Sequence, residues 1–365
     1  MNFLTKTPGK LIILGEYSVL EGAPSLVAST NRFANAFFKK SKDGIFKIEA
    51  PSINVPLLKF LIDDEGKVRF IDKPFNKVVE KLSLFTAIFE HAANKLKNKG
   101  LKIPPLEIML DTYDFYLPKN LLKLGLGSSA AVTVSLITGL LSANIIEPEE
   151  ISPDQILQLA MDSHKQAQGS IGSGVDIVAA VYGGIIKYQI NGKEISFKQI
   201  PFPKDLYYLT VWSGKPASTP GYVNKFNKFK IERPAGFRSL VNEMTIVSSN
   251  GIDAFEKGDI DLFLENYDLY YHLLNRLNTE LKIPVITKEH QKIYEIARSF
   301  GTFYKSSGAG GGDLGILFAT DKFVVKKVNE ELKRKGFETI EIKFGTQGMN
   351  SLTKDGEIDA EFSYS

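Results

Sequence analysis

Four short stretches combine small residues, hydroxyls and charge in patterns that suit an anion. In Lys123-Leu-Gly-Leu-Gly-Ser-Ser-Ala-Ala131, two glycines flank Leu126 and two serines follow. Small residues let a ligand come close to the backbone. The apolar run from Ser128 predicts a helix whose first N–H groups have no intrahelical partner and whose dipole favours negative charge. Lys123, Gly125, Leu126, Gly127, Ser128, Ser129 and Ala130 therefore form a candidate phosphate cradle. The hydroxyls of Ser128 and Ser129 are placed to cap the helix, to hold a metal ion, or both. A plain Ser N-cap needs fewer of these features. The run is neither a Walker A loop nor a three-glycine dinucleotide fingerprint.

The other stretches need more context. Lys10 lies in Pro8-Gly-Lys10, ahead of an apolar run that meets Gly15-Glu16. Most lysines are merely solvated, but this placement lets Lys10 project into a cleft. Ser306 to Gly315 holds five glycines between strand-like flanks, so its amides can turn toward an anion. A flexible hairpin is the plain alternative. Asp176 follows Gly172-Ser-Gly174 and opens an apolar helix. Alone, it reads as an acidic residue at a helix N-terminus.

Elements that could position these residues follow from periodicity. Strands are predicted at 10–14, 32–39, 45–50, 106–115, 185–190, 206–212, 303–306, 315–319 and 338–344. Helices are predicted at 76–97, 128–143, 153–165, 219–229, 237–256, 260–276, 288–299 and 321–335. A boundary near Ile195 to Pro203 predicts two domains, 1–200 and 201–365. The polar tail after Met349 reads as an edge element or a loose end.

Composition narrows the chemistry. A net charge of +3 over 365 residues is too small to argue for nucleic acid, and 43% hydrophobic residues predict a sizeable core. With no cysteine, thiolate and disulfide chemistry are excluded, which agrees with a cytoplasmic location. No apolar run is long enough for a bilayer. The four histidines show no metal-binding spacing. Lys225, Lys228, Lys230 and Arg233 form a basic cluster that reads as a solvated helix face or as a lip of an anion site.

Taken in order, these motifs resemble the GHMP kinase superfamily over nearly the whole chain. The closest likeness is to its phosphomevalonate kinases. Gly15-Glu-Tyr17, Tyr116-Leu-Pro-Lys119, His164-Lys-Gln-Ala-Gln-Gly169, Trp212 to Thr219 and Ser307 to Asp313 carry it. The resemblance implies an α+β fold, with a ribosomal-protein-like N-terminal domain and a ferredoxin-like C-terminal domain. It implies ATP and Mg2+, with Lys10 and Asp176 catalytic, the loop at 125–131 on the ATP phosphates, and Ser128 or Ser129 on the metal. Tyr17, Ser18, Ser173, Gly174, Ser218, Thr219, Gly308, Ala309 and Gly310 would line the acceptor side. The implied reaction is phosphorylation of 5-phosphomevalonate. Mevalonate kinase or another GHMP kinase is the alternative, and a non-catalytic sensor is a different class. The implied partners are small molecules only, neither nucleic acid nor membrane.

Overall fold

Alternating apolar and polar residues build two long strands first. β1 (Asn2–Leu14) pairs antiparallel with β2 (Ser25–Lys40), and the register shifts between Pro8 and Lys10 and again between Ile12 and Leu14. Such irregularities bend a strand and re-aim its side chains. The first of them falls on the Gly9-Lys10 pair. The structure is a computed structural model that describes residues 2–143, 151–169, 172–192, 194–217 and 219–353, without the side chains of 219, 220 and 351–353.

β3 (Phe46–Ala50), β4 (Val55–Ile62) and β5 (Val68–Phe70) run to one edge of the sheet, and β6 (Leu106–Asp111) lies between β2 and β3. β7 (Ile185–Asn191) pairs with the first part of β2, and β8 (Glu194–Ile200) pairs with β7. α1 (Asn76–Lys81) and α2 (Ser83–Asn98) replace the single helix predicted at 76–97. The break is Leu82, which leaves helical geometry (φ −90°, ψ 2°) and buries its side chain. α3 (Ser128–Ser142), α4 (Pro153–Ala167) and α5 (Val175–Tyr182) pack on one another, and α3 and α5 reach β1 and β2.

The predicted boundary at Ile195 to Pro203 is partly strand, because Ile195 and Phe197 alternate with polar residues and pack beside β7. The chain passes to a second sheet between Ile200 and Tyr207. β9 (Tyr207–Trp212) is followed by α6 (Thr219–Glu232), α7 (Pro234–Lys257), α8 (Ile260–Leu281) and α9 (Lys288–Ser299). Then come β10 (Phe303–Ser306), β11 (Leu314–Ala319), α10 (Lys322–Arg334) and β12 (Glu338–Ile340). The strands run antiparallel in the order β10-β11-β9-β12. That is the split βαβ order of a ferredoxin-like unit.

β12 ends at Ile340, earlier than the strand expected to 344. The chain then makes single bridges to Thr30 and Gly183. β13 (Asn350–Thr353) returns to the first sheet and pairs with β1, from Phe3–Thr353 to Lys6–Asn350. One apolar core spans both sheets, with Leu11, Ile13 and Leu14 in the same cluster as Phe226, Tyr267 and Phe318. Among the described residues, no helix is long and apolar enough to cross a membrane.

Candidate active site

The bend in β1 fixes the first side of the site. A Cβ on Gly9 would stand 2.7 Å from Leu126 O and 2.8 Å from a Phe115 ring carbon, so only glycine admits the loop so closely. The Lys10 N–H donates to Leu126 O at 2.8 Å. The Lys10 side chain then runs along Gly127, whose hypothetical Cβ would lie 3.0 Å from Lys10 Cε.

Gly127, not a serine, is the N-cap of α3. It has φ +74°, and no side chain caps the helix. This corrects the capping role expected for Ser128 and Ser129: a left-handed N-cap is open to glycine, which places both serines inside the first turn. Ser129 Oγ accepts from Gln168 Nε2 at 3.2 Å and lies 3.4 Å from His164 Nε2, so α4 already engages it. Among the described residues no group bonds the Ser128 hydroxyl, and Ser128 lines the cleft. Ala130 is buried in α3 rather than lining the cleft.

The second side is the start of α5. Gly174 is its N-cap at φ +76°, and a Cβ there would meet Met161 Cε at 2.2 Å. Asp176 sits in the first turn, where Oδ1 accepts the Ile177 N–H at 3.1 Å. The dipole at that end favours a carboxylate. Tyr188 OH donates to Ser173 O and holds the turn. Among the described residues no salt bridge joins Asp176 to Lys10.

Several contacts beside the cleft bind the second half of the chain to this frame. Ser307 Oγ donates to Ile12 O at 2.8 Å, and Tyr17 OH donates to Ala309 O. Glu16 forms an ion pair with Lys305 of β10, both fully buried. Burial pushes the Glu16 carboxyl up and the Lys305 ammonium down, while their attraction pulls each back. Glu16 Oε2 is left without a partner among the described residues. Tyr17 takes φ +63°, a strained value for a non-glycine residue, and burial pushes its hydroxyl well above the usual tyrosine value.

One cleft of about 1330 Å3 is lined by Lys10, Tyr17, Lys123, Gly125 to Ser129, Ser173, Gly174, Asp176, Gly308 to Gly310 and Asp313. Single ligand pockets run to about 1,000 Å3, so this one has room for two ligands side by side. Ser18 stands apart: it is buried beneath the cleft, 2.9 Å from Tyr270 OH. Its expected place on the acceptor side is corrected, because the turn after Gly15 points it inward. Thr219 opens α6, and Ser218 lies outside the described residues. The basic cluster is largely neutralised, since Lys228, Lys230 and Arg233 pair with Glu232, Glu21 and Glu280.

Sequence reasoning gave no site role to Lys305, His290 or Asp313. A lysine in a short strand carries no signal of burial. His290 is fully buried between Tyr304 OH at 2.7 Å and Gly312 O at 2.8 Å, and burial lowers it to about 4. Asp313 ends the glycine run; its position there was a signal, though its partners were not.

Residues 84–184 match the GHMP kinases N terminal domain and residues 252–338 match the GHMP kinases C terminal domain, together just over half of the chain. The phosphomevalonate kinase of Streptomyces sp. (strain CL190) is 26% identical over 334 residues, covering 85% of this chain and 87% of that one. The mevalonate kinase of Thermococcus gammatolerans is 26% identical over 362 residues, covering 98% of each. A solved Streptococcus pneumoniae phosphomevalonate kinase, in complex with phosphomevalonate and AMPPNP, superposes with a TM-score of 0.77. It is 20% identical and covers 93% of this chain and 99% of that one.

Proposed function

The chain belongs to the GHMP kinase family, and on that premise we propose that it transfers the γ-phosphoryl group of ATP to 5-phosphomevalonate. The observation that carries this reading is the convergence, in one cleft sized for two ligands, of Lys10, the amide-rich start of α3 and Asp176. Phosphoryl transfer is mainly positioning and charge stabilisation. The α3 N-terminus and Lys123 would hold the donor's phosphates. Lys10 would bridge donor and acceptor, where charge develops on the transferred group. Tyr17 and Gly308 to Gly310 would line the acceptor.

The donor set also fits Mg2+ arriving with the nucleotide. Ser128 offers an uncommitted hydroxyl at the phosphate loop, and no cluster of three or more protein ligands exists among the described residues. Mg2+ is typically held by few protein groups plus substrate phosphates. Bound there, it would neutralise charge on the phosphates. Ser129, engaged by α4, is the weaker candidate ligand.

An acceptor phosphate is already mostly a dianion at pH 7, because its second pKa is about 6. The acceptor then needs no strong base. Tyr17 could not serve as one, with its hydroxyl donating to Ala309 O. Asp176 would orient Lys10 or the metal rather than remove a proton. Asp176→Asn tests this: a pH-dependent loss of several orders of magnitude, as for a required base, would reject the orienting role.

Mevalonate is the second reading, favoured by the mevalonate kinase relative that spans 98% of the chain. An ATP-consumption assay with each acceptor, products identified by mass, separates the two. Diphosphomevalonate formed from phosphomevalonate supports the proposal. Turnover with mevalonate alone overturns it.

A further inference from the structure

Asp313 has no part in the reading above, yet it joins three pieces of the cleft. It follows Gly310-Gly-Gly312 with φ +59°. Its N–H donates to Lys215 O at 2.7 Å and its carbonyl accepts from Ser213 N at 2.9 Å. Oδ1 accepts from Ala217 N at 2.9 Å. Oδ2 points the other way, into the phosphate loop, 2.3 Å from where a Cβ on Gly125 would stand. Oδ2 has no hydrogen-bond partner among the described residues, and Asp313 lines the cleft.

A bare carboxylate is out of place in an anion cradle. Like charges a few ångströms apart repel, and more strongly away from bulk water. A protonated carboxyl in the same position would instead donate a hydrogen bond. We propose that Asp313 takes up one proton from solvent as a polyphosphate enters, so that Oδ2–H donates to the anion. The proton comes from bulk water and no other bond changes. This inference rests on the proposed nucleotide site at Gly125 to Ser129.

The surroundings favour the exchange. Burial holds the free carboxyl up at about 6, while the Ala217 N–H and then Lys10 and Lys123 pull it down. It is therefore mostly ionised at pH 7, but not far from its proton. On β1, Lys10 lies close by, and Glu16, in the turn after β1, is spent on Lys305 of β10. The loop before α3 contributes Lys123. The 213–217 segment contributes Lys215, paired with Glu289 of α9, and His290 of α9 is buried below its titration range. Asp176 of α5 shares the cleft. A polyphosphate would neutralise Lys10 and Lys123 and add negative charge of its own. Both changes raise the carboxyl's proton affinity.

Calorimetric titration with Mg·AMPPNP, at pH 7 in two buffers of different ionisation enthalpy, reads the protons exchanged per nucleotide. The wild type is expected to take up roughly half a proton or more. Asp313→Asn should still bind, with uptake reduced by that amount. Lys123→Met leaves the free carboxyl already more protonated, so its uptake should be smaller than wild type. At pH 5 the wild-type carboxyl is protonated before binding and uptake should fall, a check that needs no variant. Equal proton exchange in wild type and Asp313→Asn, or no change in wild-type uptake between pH 7 and pH 5, overturns the inference. A wild type that binds no nucleotide overturns the kinase reading itself, and this inference with it.

Discussion

The cleft has two glycine-rich loops that use glycine for opposite ends. In the loop at Gly125 to Gly127, glycines clear space beside functional side chains: a Cβ would press on Asp313 at one position and on the Lys10 stem at the other. Leu126 O accepts the Lys10 N–H and Gly127 O accepts the Ala131 N–H, and the loop lines the cleft together with the start of α3. In the loop at Gly310 to Gly312, glycines let backbone pack on backbone. A Cβ on Gly310 would stand 2.2 Å from Val285 O, and one on Gly312 would stand 2.4 Å from Lys215 O. Gly311 N donates to Val285 O, and Gly312 O bonds His290. The first loop leaves room beside Lys10 and Asp313, and the second is held in shape by Val285, Lys215 and His290.

Substitutions can break that contrast. Lys10→Met should cost the most, about 10^3-fold or more in kcat by loss of transition-state charge stabilisation, with little change in Tm. Gly127→Ala should lower kcat about 10^2-fold by displacing Lys10, with a modest fall in stability. Gly312→Ala should do the reverse, destabilising by about 3 kcal/mol in denaturant unfolding through a clash with Lys215 O at positive φ. If Gly127→Ala proved the greater loss of stability, the contrast would be wrong.

Acid sharpens the comparison further. His290, at about 4 when folded against 6.5 free, supports the second loop only as neutral imidazole. Between those values the unfolded chain holds the proton and the folded chain does not. Its contribution is therefore complete above pH 6.5 and lost as pH falls toward 4, by up to about 3 kcal/mol. Asp313, raised from 3.8 to about 6, runs the other way: it favours the fold at low pH and less as pH rises through that window. Unfolding free energies of wild type and His290→Asn at pH 4.5 and 7 separate the two slopes, since the variant keeps only the second. The smallest effect belongs to the serines: Ser128→Ala should lower activity about tenfold and Ser129→Ala only a few-fold, because α4 already occupies the latter's hydroxyl. Equal losses would mean that both hydroxyls reach a ligand.

Strong periodicity made much of this legible. α9 falls at 288–299 as its apolar spacing predicts, and α3 begins at Ser128. The four stretches chosen for their chemistry meet in one cleft. What escaped notice depends on distant partners. β5 spans three residues at the sheet edge and its neighbour β4 contains Pro56, so local pattern is weak in both. Lys305 is buried because Glu16, 289 positions away, awaits it. Ser18 points inward because Tyr270 receives it. None of these pairings leaves a trace in local spacing.

The pairing of β1 with β13 bears on how the protein is made. β1 leaves the ribosome well before β13, its outer neighbour in the sheet. Until β13 follows, one side of β1 at Phe3 to Lys6 carries unpaired amides and carbonyls, and Glu16 waits as a desolvation-prone charge for Lys305. Open strand edges and late long-range contacts slow folding and invite misassembly. The nascent chain would be expected to need shielding until β13 is released.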